Sequence, residues 1–302
     1  MLFLTGASGY IGMRVGTYFA GKSRRLRCLV LPDDGDDPGN RFPTQVVRGD
    51  LTLLDTFAAH GDGVNAIVHA AAAMPPASAA RIRAVNAGGT ANLIAFARRW
   101  GIRRFVYFSA APPFPGAEDA FAASKVEAER LVVDSGLDYT ILRLAMVYGP
   151  GGAAPFRRLV SRMRRIPLVY PIAGGGHTRL QPVYIGDVVA AVQLVLANSM
   201  ATGKTYNVSG GTMVTMRELV DHIAAAERLR RMRVHLPMAL CRLASRTLSR
   251  LLPAAAYSPD ALLGLAEDAD LDHTRFQEEC GYAPLTLEQG FARVFGGGEA
   301  VR

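Results

Sequence analysis

Directly behind a short apolar run, Leu2 to Thr5, the chain reads Thr5-Gly6-Ala7-Ser8-Gly9-Tyr10-Ile11-Gly12. Three glycines at this spacing, between a strand and a helix that starts at about Tyr10, leave few structural options. Gly6 permits a tight turn, Gly9 lets backbone N–H groups approach a pyrophosphate at the helix N-terminus, and Gly12 lets the helix lie close on the sheet. Such a turn opens a βαβ unit, and the residues that follow keep its rhythm. Leu26 to Leu31, Gln45 to Arg48, Ala66 to Ala70, Phe105 to Ser109 and Tyr139 to Leu144 are β-rich runs. Helical stretches near Ser78 to Trp100 and Asp119 to Ser135 separate the later ones. The expected fold is α/β, a doubly wound parallel Rossmann sheet.

After Gly149-Pro150-Gly151-Gly152 the texture changes. A basic helix around Phe156 to Arg165, a Gly174 to Gly176 turn and a short strand at Thr205 to Val208 predict a smaller, mainly helical substrate lobe. Residues 1–150 are therefore read as the nucleotide-binding domain and 151–302 as the substrate or lid lobe, the two interlocked in one structural unit. Helix starts are signed by Thr215 with Glu218, by Ser258-Pro259 and by Thr286 with Gln289. From Pro237 to Leu252, Arg242, Arg246 and Arg250 recur every four residues beside leucines, which predicts a basic amphipathic helix. It is read as a cover over the cleft with its arginines in water, ahead of a helix lying on an anionic membrane.

The chain has 302 residues and a formal charge of +8, carried almost wholly by arginine, since only Lys22, Lys125 and Lys204 are lysines. No aromatic residues interleave the basic clusters, so nucleic acid is not an expected partner. Cys28, Cys241 and Cys280 lack metal or disulfide spacing and the six histidines are scattered singly, so no metal site is expected. The N-terminus lacks a basic leader and no uncharged stretch reaches spanning length. A cytoplasmic monomer or homodimer with a hydrophobic small-molecule substrate is expected, and contact with a membrane or a larger complex is the less favoured reading.

The TGxxGxxG spacing resembles the extended short-chain dehydrogenase/reductase family, of NAD-dependent epimerase/dehydratase type. Arg48-Gly49-Asp50-Leu51 resembles the family's third-strand element, Val68-His69-Ala70-Ala71-Ala72 its fourth-strand motif, and Asn86 with Gly88 and Thr90 the start of its next helix. Leu142-Arg143-Leu144, Val147 to Pro150 and Pro182 to Val188 match later landmarks. The resemblance implies cofactor contacts from Gly6, Ser8, Gly9, Tyr10, Ile11, Asp50, Leu51, Ala70, Ala71, Ala72, Lys125, Leu144 and Val147. At the end of the second strand Leu31 cannot bind a ribose hydroxyl, Asp33 could, and Arg14 or Arg24 could neutralise a 2′-phosphate. NADP(H) is favoured over NAD(H) on this reading.

Family enzymes use a tyrosine and lysine in YxxxK with a helper hydroxyl after the fifth strand. Here the matching run is Phe121-Ala122-Ala123-Ser124-Lys125, and the helper position in Ser109-Ala110 is alanine. A phenyl ring cannot move a proton. Lys125 keeps the ribose-binding place, and Ser109 and Asn86 are the other catalytic candidates. The expected activity is an NADPH-dependent ketoreductase for a bulky, polycyclic phenolic ketone of aromatic polyketide kind, with the proton supplied by the substrate itself. Such a role would lie in antibiotic biosynthesis. The second half also resembles the accessory 39 kDa-type subunit of respiratory complex I, which gives the alternative of a non-catalytic NADP(H)-binding subunit of a membrane assembly.

Overall fold

The computed structural model describes residues 1–111, 120–165, 169–173, 175–229, 232–236 and 271–295. Seven strands form one parallel sheet: β1 (Leu2–Thr5), β2 (Leu26–Val30), β3 (Gln45–Arg48), β4 (Ala66–His69), β5 (Arg104–Ala110), β6 (Asp138–Leu144) and β11 (Lys204–Val208). Their order is β11-β6-β5-β4-β1-β2-β3. The chain winds outward from β1 in both directions, which places the point of reversal at the carboxyl ends of β1 and β4, where doubly wound folds bind ligands.

Both faces of the sheet are covered. Leu2, Leu4, Val106 and Phe108 pack with Val188 and Val192 of α6 (Ile185–Ala197), and α1 (Tyr10–Gly21) lies beside that helix. The alternate residues Phe3, Ile67, Phe105 and Tyr107 pack under Phe96 and Ala97 of α3 (Gly89–Arg99) and Ala128 and Val132 of α4 (Ala120–Val133). Strands buried on both sides explain the unbroken apolar runs of the sequence. The stretch expected as one helix from Ser78 to Trp100 begins with α2 (Ala79–Arg83) and enters α3 through a π-turn, Ala84–Gly88, that the sequence did not announce.

Among the described residues of the second half, helices are joined by short strands that the sequence did not all announce. Its described part contains three two-stranded pairings. β7 (Val147–Tyr148) runs with β10 (Val183–Tyr184), β9 (Arg179–Leu180) with β12 (Val214–Thr215), and β8 (Val169–Ala173) with β13 (Met232–Leu236). They accompany α5 (Ala154–Arg165), α7 (Met216–Ala226), α8 (Thr274–Cys280) and α9 (Leu287–Phe295). Phe156, Val160, Leu219, Ile223, Phe291 and Val294 form a third core there. A boundary at residue 150 does not divide the layers, because β11 and α6 come from beyond it and complete the Rossmann sheet. The capping boxes at Thr215 with Glu218 and at Thr286 with Gln289 are both formed. The Pro237 to Leu252 helix and the Ser258-Pro259 start lie outside the described residues.

Candidate active site

The glycine turn is built as its spacing predicts. Gly6 takes φ +70°, where a side chain is strained, and a Cβ there would come within 2.6 Å of Ala71 N. A Cβ on Gly12 would lie 2.1 Å from Gly6 O. Gly9 caps α1 with no side-chain hydrogen bond and no acid in the first turn, so the first N–H groups of the helix carry no side-chain partner and present a positive end.

A cavity of about 380 Å³ opens in front of this turn. Gly6, Ser8, Gly9, Asp50, Leu51, Ala70, Ala71 and Ala72 line it, together with Leu31, Asp34 and Arg81. Asp50 Oδ1 accepts from Thr52 N and its hydroxyl at 2.8 Å each, and Oδ2 pairs with Arg81 at 3.3 Å. These bonds hold its carboxyl below the usual range against a raising effect of burial. Tyr10, Ile11, Lys125, Leu144 and Val147, expected as contacts, do not line the cavity. Tyr10, Ile11 and Leu144 pack on the core of the α1 and α6 face, and Val147 is buried in it. Backbone contact from the first turn of α1 remains open to Tyr10 and Ile11.

The arginines expected near a 2′-phosphate are elsewhere. Arg24 precedes β2 and bonds Asn65 at 3.3 Å, at the amino end of the strands and the wrong end of the sheet. Arg14 donates to Pro150 O at 2.8 Å and lines a separate groove between α1 and α6. Asp34, and not Asp33, reaches the cavity, because the turn closed by Asp34 N on Leu31 O brings it back toward the strand end.

Beside the cavity runs a buried hydrogen-bonded row. Thr90 donates to Asn86 O at 2.5 Å and so accepts from His69 Nε2 at 3.0 Å. His69 Nδ1 then accepts from the Thr5 hydroxyl at 2.7 Å, and Thr5 Oγ1 accepts from Ala71 N at 3.3 Å. These partners fix His69 as the neutral Nε2–H tautomer. Burial, with the charge of Lys125 second, pushes its pKa down to about 3. The Thr90 hydroxyl donates to a carbonyl of the π-turn itself, and such turns are frequent at functional sites. The Asn86 amide clamps both Ala73 N (2.7 Å) and Ala73 O (3.0 Å) and donates to Ser124 Oγ at 2.9 Å. The row therefore ties the cavity wall to α4.

On α4, Lys125 is 5% exposed, with its Nζ 4.2 Å from the centre of the Tyr107 ring. Burial pulls its pKa down to about 7, and Glu129 opposes the shift. Arg143 holds the Glu129 carboxylate bidentately at 2.6 and 2.9 Å. Ser109, paired with Arg143 across β5 and β6, is buried, and its hydroxyl has no partner among the described residues. Phe121 lies one turn before Lys125 and is half-buried. The structure thus gathers Asn86, Ser124 and Lys125 about α4, with Ser109 on the sheet face beneath. No cluster of metal ligands occurs among the described residues, and none of their helices is long and apolar enough to cross a membrane.

A sheet of this order, a glycine turn at a helix N-terminus and a cavity at the reversal point define a dinucleotide-binding Rossmann protein. Residues 2–209 match the model of the NAD dependent epimerase/dehydratase family, and the chain belongs to that family. It is 26% identical to a 3 beta-hydroxysteroid dehydrogenase/Delta 5-->4-isomerase of Mycobacterium tuberculosis, over 95% of this chain and 87% of that protein. It is 24% identical to the 4-hydroxy-2-methyl-3-oxo-4-farnesyl-3,4-dihydroquinoline-1-oxide ketoreductase of Stigmatella aurantiaca, over 95% and 93%. A short-chain dehydrogenase/reductase superfamily protein from Agrobacterium tumefaciens, solved with bound NAD, superposes with a TM-score of 0.75. That match is 20% identical and covers 100% of this chain and 97% of that one. The protein is an enzyme family member of oxidoreductase type that binds NAD(P).

Proposed function

We propose that this protein is a nicotinamide-dependent ketoreductase for bulky, hydrophobic ketones, polycyclic ones included. The observation that carries the reading is the side-chain-free cradle of Gly6, Gly9 and Gly12 facing a cavity of about 380 Å³, which fits a dinucleotide and leaves no room for a side chain in its place. A bound dihydronicotinamide would supply the hydride. The first turn of α1 would hold the pyrophosphate, Asp50 and Leu51 the adenine end, and Lys125 the nicotinamide ribose. The named activities of the steroid dehydrogenase and the farnesyl-dihydroquinoline ketoreductase, both on large apolar ring systems, support this substrate class.

The lining favours NAD(H) over the NADP(H) expected from sequence. Its ionisable residues are Asp34, Asp50 and Arg81, and Arg81 is already paired with Asp50. An acid facing the ribose repels a 2′-phosphate and can accept from a free hydroxyl. The accessory-subunit reading rested on a resemblance of Thr178 to Val188, of Thr202 to Tyr206 and of the basic segment that follows, the last of which lies largely outside the described residues, and no observation favours it.

The test is reduction of a panel of polycyclic ketones, steroid 3-ketones and phenolic anthrones among them, followed by loss of dihydronicotinamide absorbance with product identified by mass spectrometry. Turnover of at least one ring ketone is expected. Saturable NADH binding with no reduction across the panel would overturn the ketoreductase reading and leave the cofactor site standing.

A further inference from the structure

We propose that the protein carries a second anion site, a cleft at the amino end of the sheet built on Arg24 and Arg25 that takes a small phosphate-bearing ligand. It lies at the opposite end of the strands from the dinucleotide cavity and shares no lining residue with it.

Between α1 and β2 the chain packs four cations into six residues, Lys22, Arg24, Arg25 and Arg27, with no acid among them. The fold does not neutralise them. Arg24 donates to the Asn65 amide oxygen at 3.3 Å. Arg27 spends its guanidinium on Gln45 Oε1, at 2.7 and 3.0 Å, and on the carbonyls of His60 and Asp62. All these acceptors are uncharged. The Arg25 side chain has no partner among the described residues. Like charges at this density repel one another, and an anion held between them removes the repulsion.

A cleft of about 420 Å³ opens among these side chains, and Ser23, Arg24, Arg25, Thr44 and Gln45 line it. No acid is in the lining. Its donors start from a fixed frame. Arg24 N bonds Phe19 O at 3.0 Å, and Leu2 N bonds Arg25 O at 2.9 Å, so the backbone of both arginines is pinned to α1 and β1. The Arg27 fork holds the oxygen of the Gln45 amide, which leaves the two N–H donors of that amide uncommitted among the described residues. Ser23 takes φ +56°, just past the end of α1, in the left-handed position that glycine usually fills. Serine is strained there where glycine is not, and it adds a hydroxyl to the lining.

Two guanidiniums, an amide and a hydroxyl match phosphate oxygens, which arginine binds through its planar fork. The cleft has the volume for one small molecule. Its lining holds no aromatic ring on which a nucleic-acid base could stack.

The probe is inorganic pyrophosphate, titrated calorimetrically at low, fixed ionic strength into the wild-type protein with saturating NADH, so that the turn before α1 is filled. One pyrophosphate per chain is expected to bind. The double variant Arg24→Gln with Arg25→Gln should bind it about tenfold more weakly or worse, because two charge-assisted contacts are lost. A control, Arg157→Gln with Arg158→Gln on α5, removes the same charge from other exposed positions and should keep wild-type affinity. Equal affinity in the two double variants would overturn the site, since binding would then follow net charge or lie elsewhere. This comparison reads the cleft whether or not NADH binds. Pyrophosphate is also expected to raise the Tm of the wild type and not that of the Arg24 and Arg25 variant, whose side chains are exposed and whose core is intact. No rise in the wild type would overturn the proposal, as would release of NADH by pyrophosphate, which would put the anion in the dinucleotide cavity. Citrate, an anion of similar charge that carries carboxylates, should bind more weakly, and equal binding would overturn the assignment to phosphate.

Discussion

Two buried titratable side chains make the stability of this protein depend on pH in the same direction. Burial lowers Lys125 from 10.5 to about 7, so the unfolded chain binds that proton more tightly. Stability is present above the ordinary lysine value and is lost as pH falls toward 7. Lys125→Met is therefore expected to raise Tm at neutral pH, by on the order of 2 kcal/mol of stability, while abolishing turnover; a lower Tm in calorimetry would contradict this. His69 is lowered from 6.5 to about 3. Its unfolded form protonates below about pH 6.5 and its folded form does not, so about 2 kcal/mol is lost between pH 6.5 and pH 5. His69→Gln should flatten the urea midpoints over that interval, and an unaltered slope would contradict the assignment. At this scale the sequence was readable where a motif is anchored to a strand end, as for Gly6, Asp50 and Ala70 to Ala72, all of which line the cavity. It was misread for Arg14, Arg24 and Asp33, because a linear pattern shows neither which end of the sheet an arginine occupies nor how a turn swings one aspartate past another.

The glycine turn and α1 work as a unit, and their contacts are tight enough to test. A Cβ on Gly12 meets Gly6 O at 2.1 Å, whereas one on Gly21 meets nothing within 4 Å. Gly12→Ala should weaken NADH binding by about tenfold or more, since the N–H groups that hold an anion move with the helix. Gly21→Ala should leave it unchanged, and equal effects from the two would contradict the close-packing role of Gly12. In the second half, Thr215 and Glu218 cap α7 reciprocally, and Thr215→Ala is expected to cost about 1 kcal/mol in urea unfolding. Such boxes were legible because capping needs only residues three apart. The π-turn at Ala84–Gly88 was not, because it depends on the Thr90 hydroxyl, the Asn86 amide and their partners on β4 and α4. Those contacts exist only after the sheet has formed. The pairing of β8 with β13 was hidden for the same reason, its two strands being separated by α6, β11 and α7.

Across the whole molecule, the second half finishes the first. β11 pairs with β6 from Lys204 opposite Thr140 to Val208 opposite Leu144, and α6 supplies Val188, Val192 and Val195 to the core of one sheet face. A chain ending at residue 150 would leave β6 as an open edge and strip α6 from Val106 and Phe108 of β5. It is expected to aggregate or to melt without a cooperative transition, and cooperative melting would contradict the interlocked reading. The doubly wound class was legible from the alternation of strands and helices. The strand contributed from beyond residue 150 was seen as a strand, but its place in the sheet depends on long-range pairing.

The claim on which the rest stands is that the cavity before α1 holds a nicotinamide dinucleotide. It is tested most directly by a fluorescence titration of purified, nucleotide-stripped protein with NADH and then NADPH at matched ionic strength, with Gly12→Ala alongside. Saturable NADH binding, weaker NADPH binding and loss of affinity in Gly12→Ala are predicted. Failure of either nucleotide to bind would contradict the account.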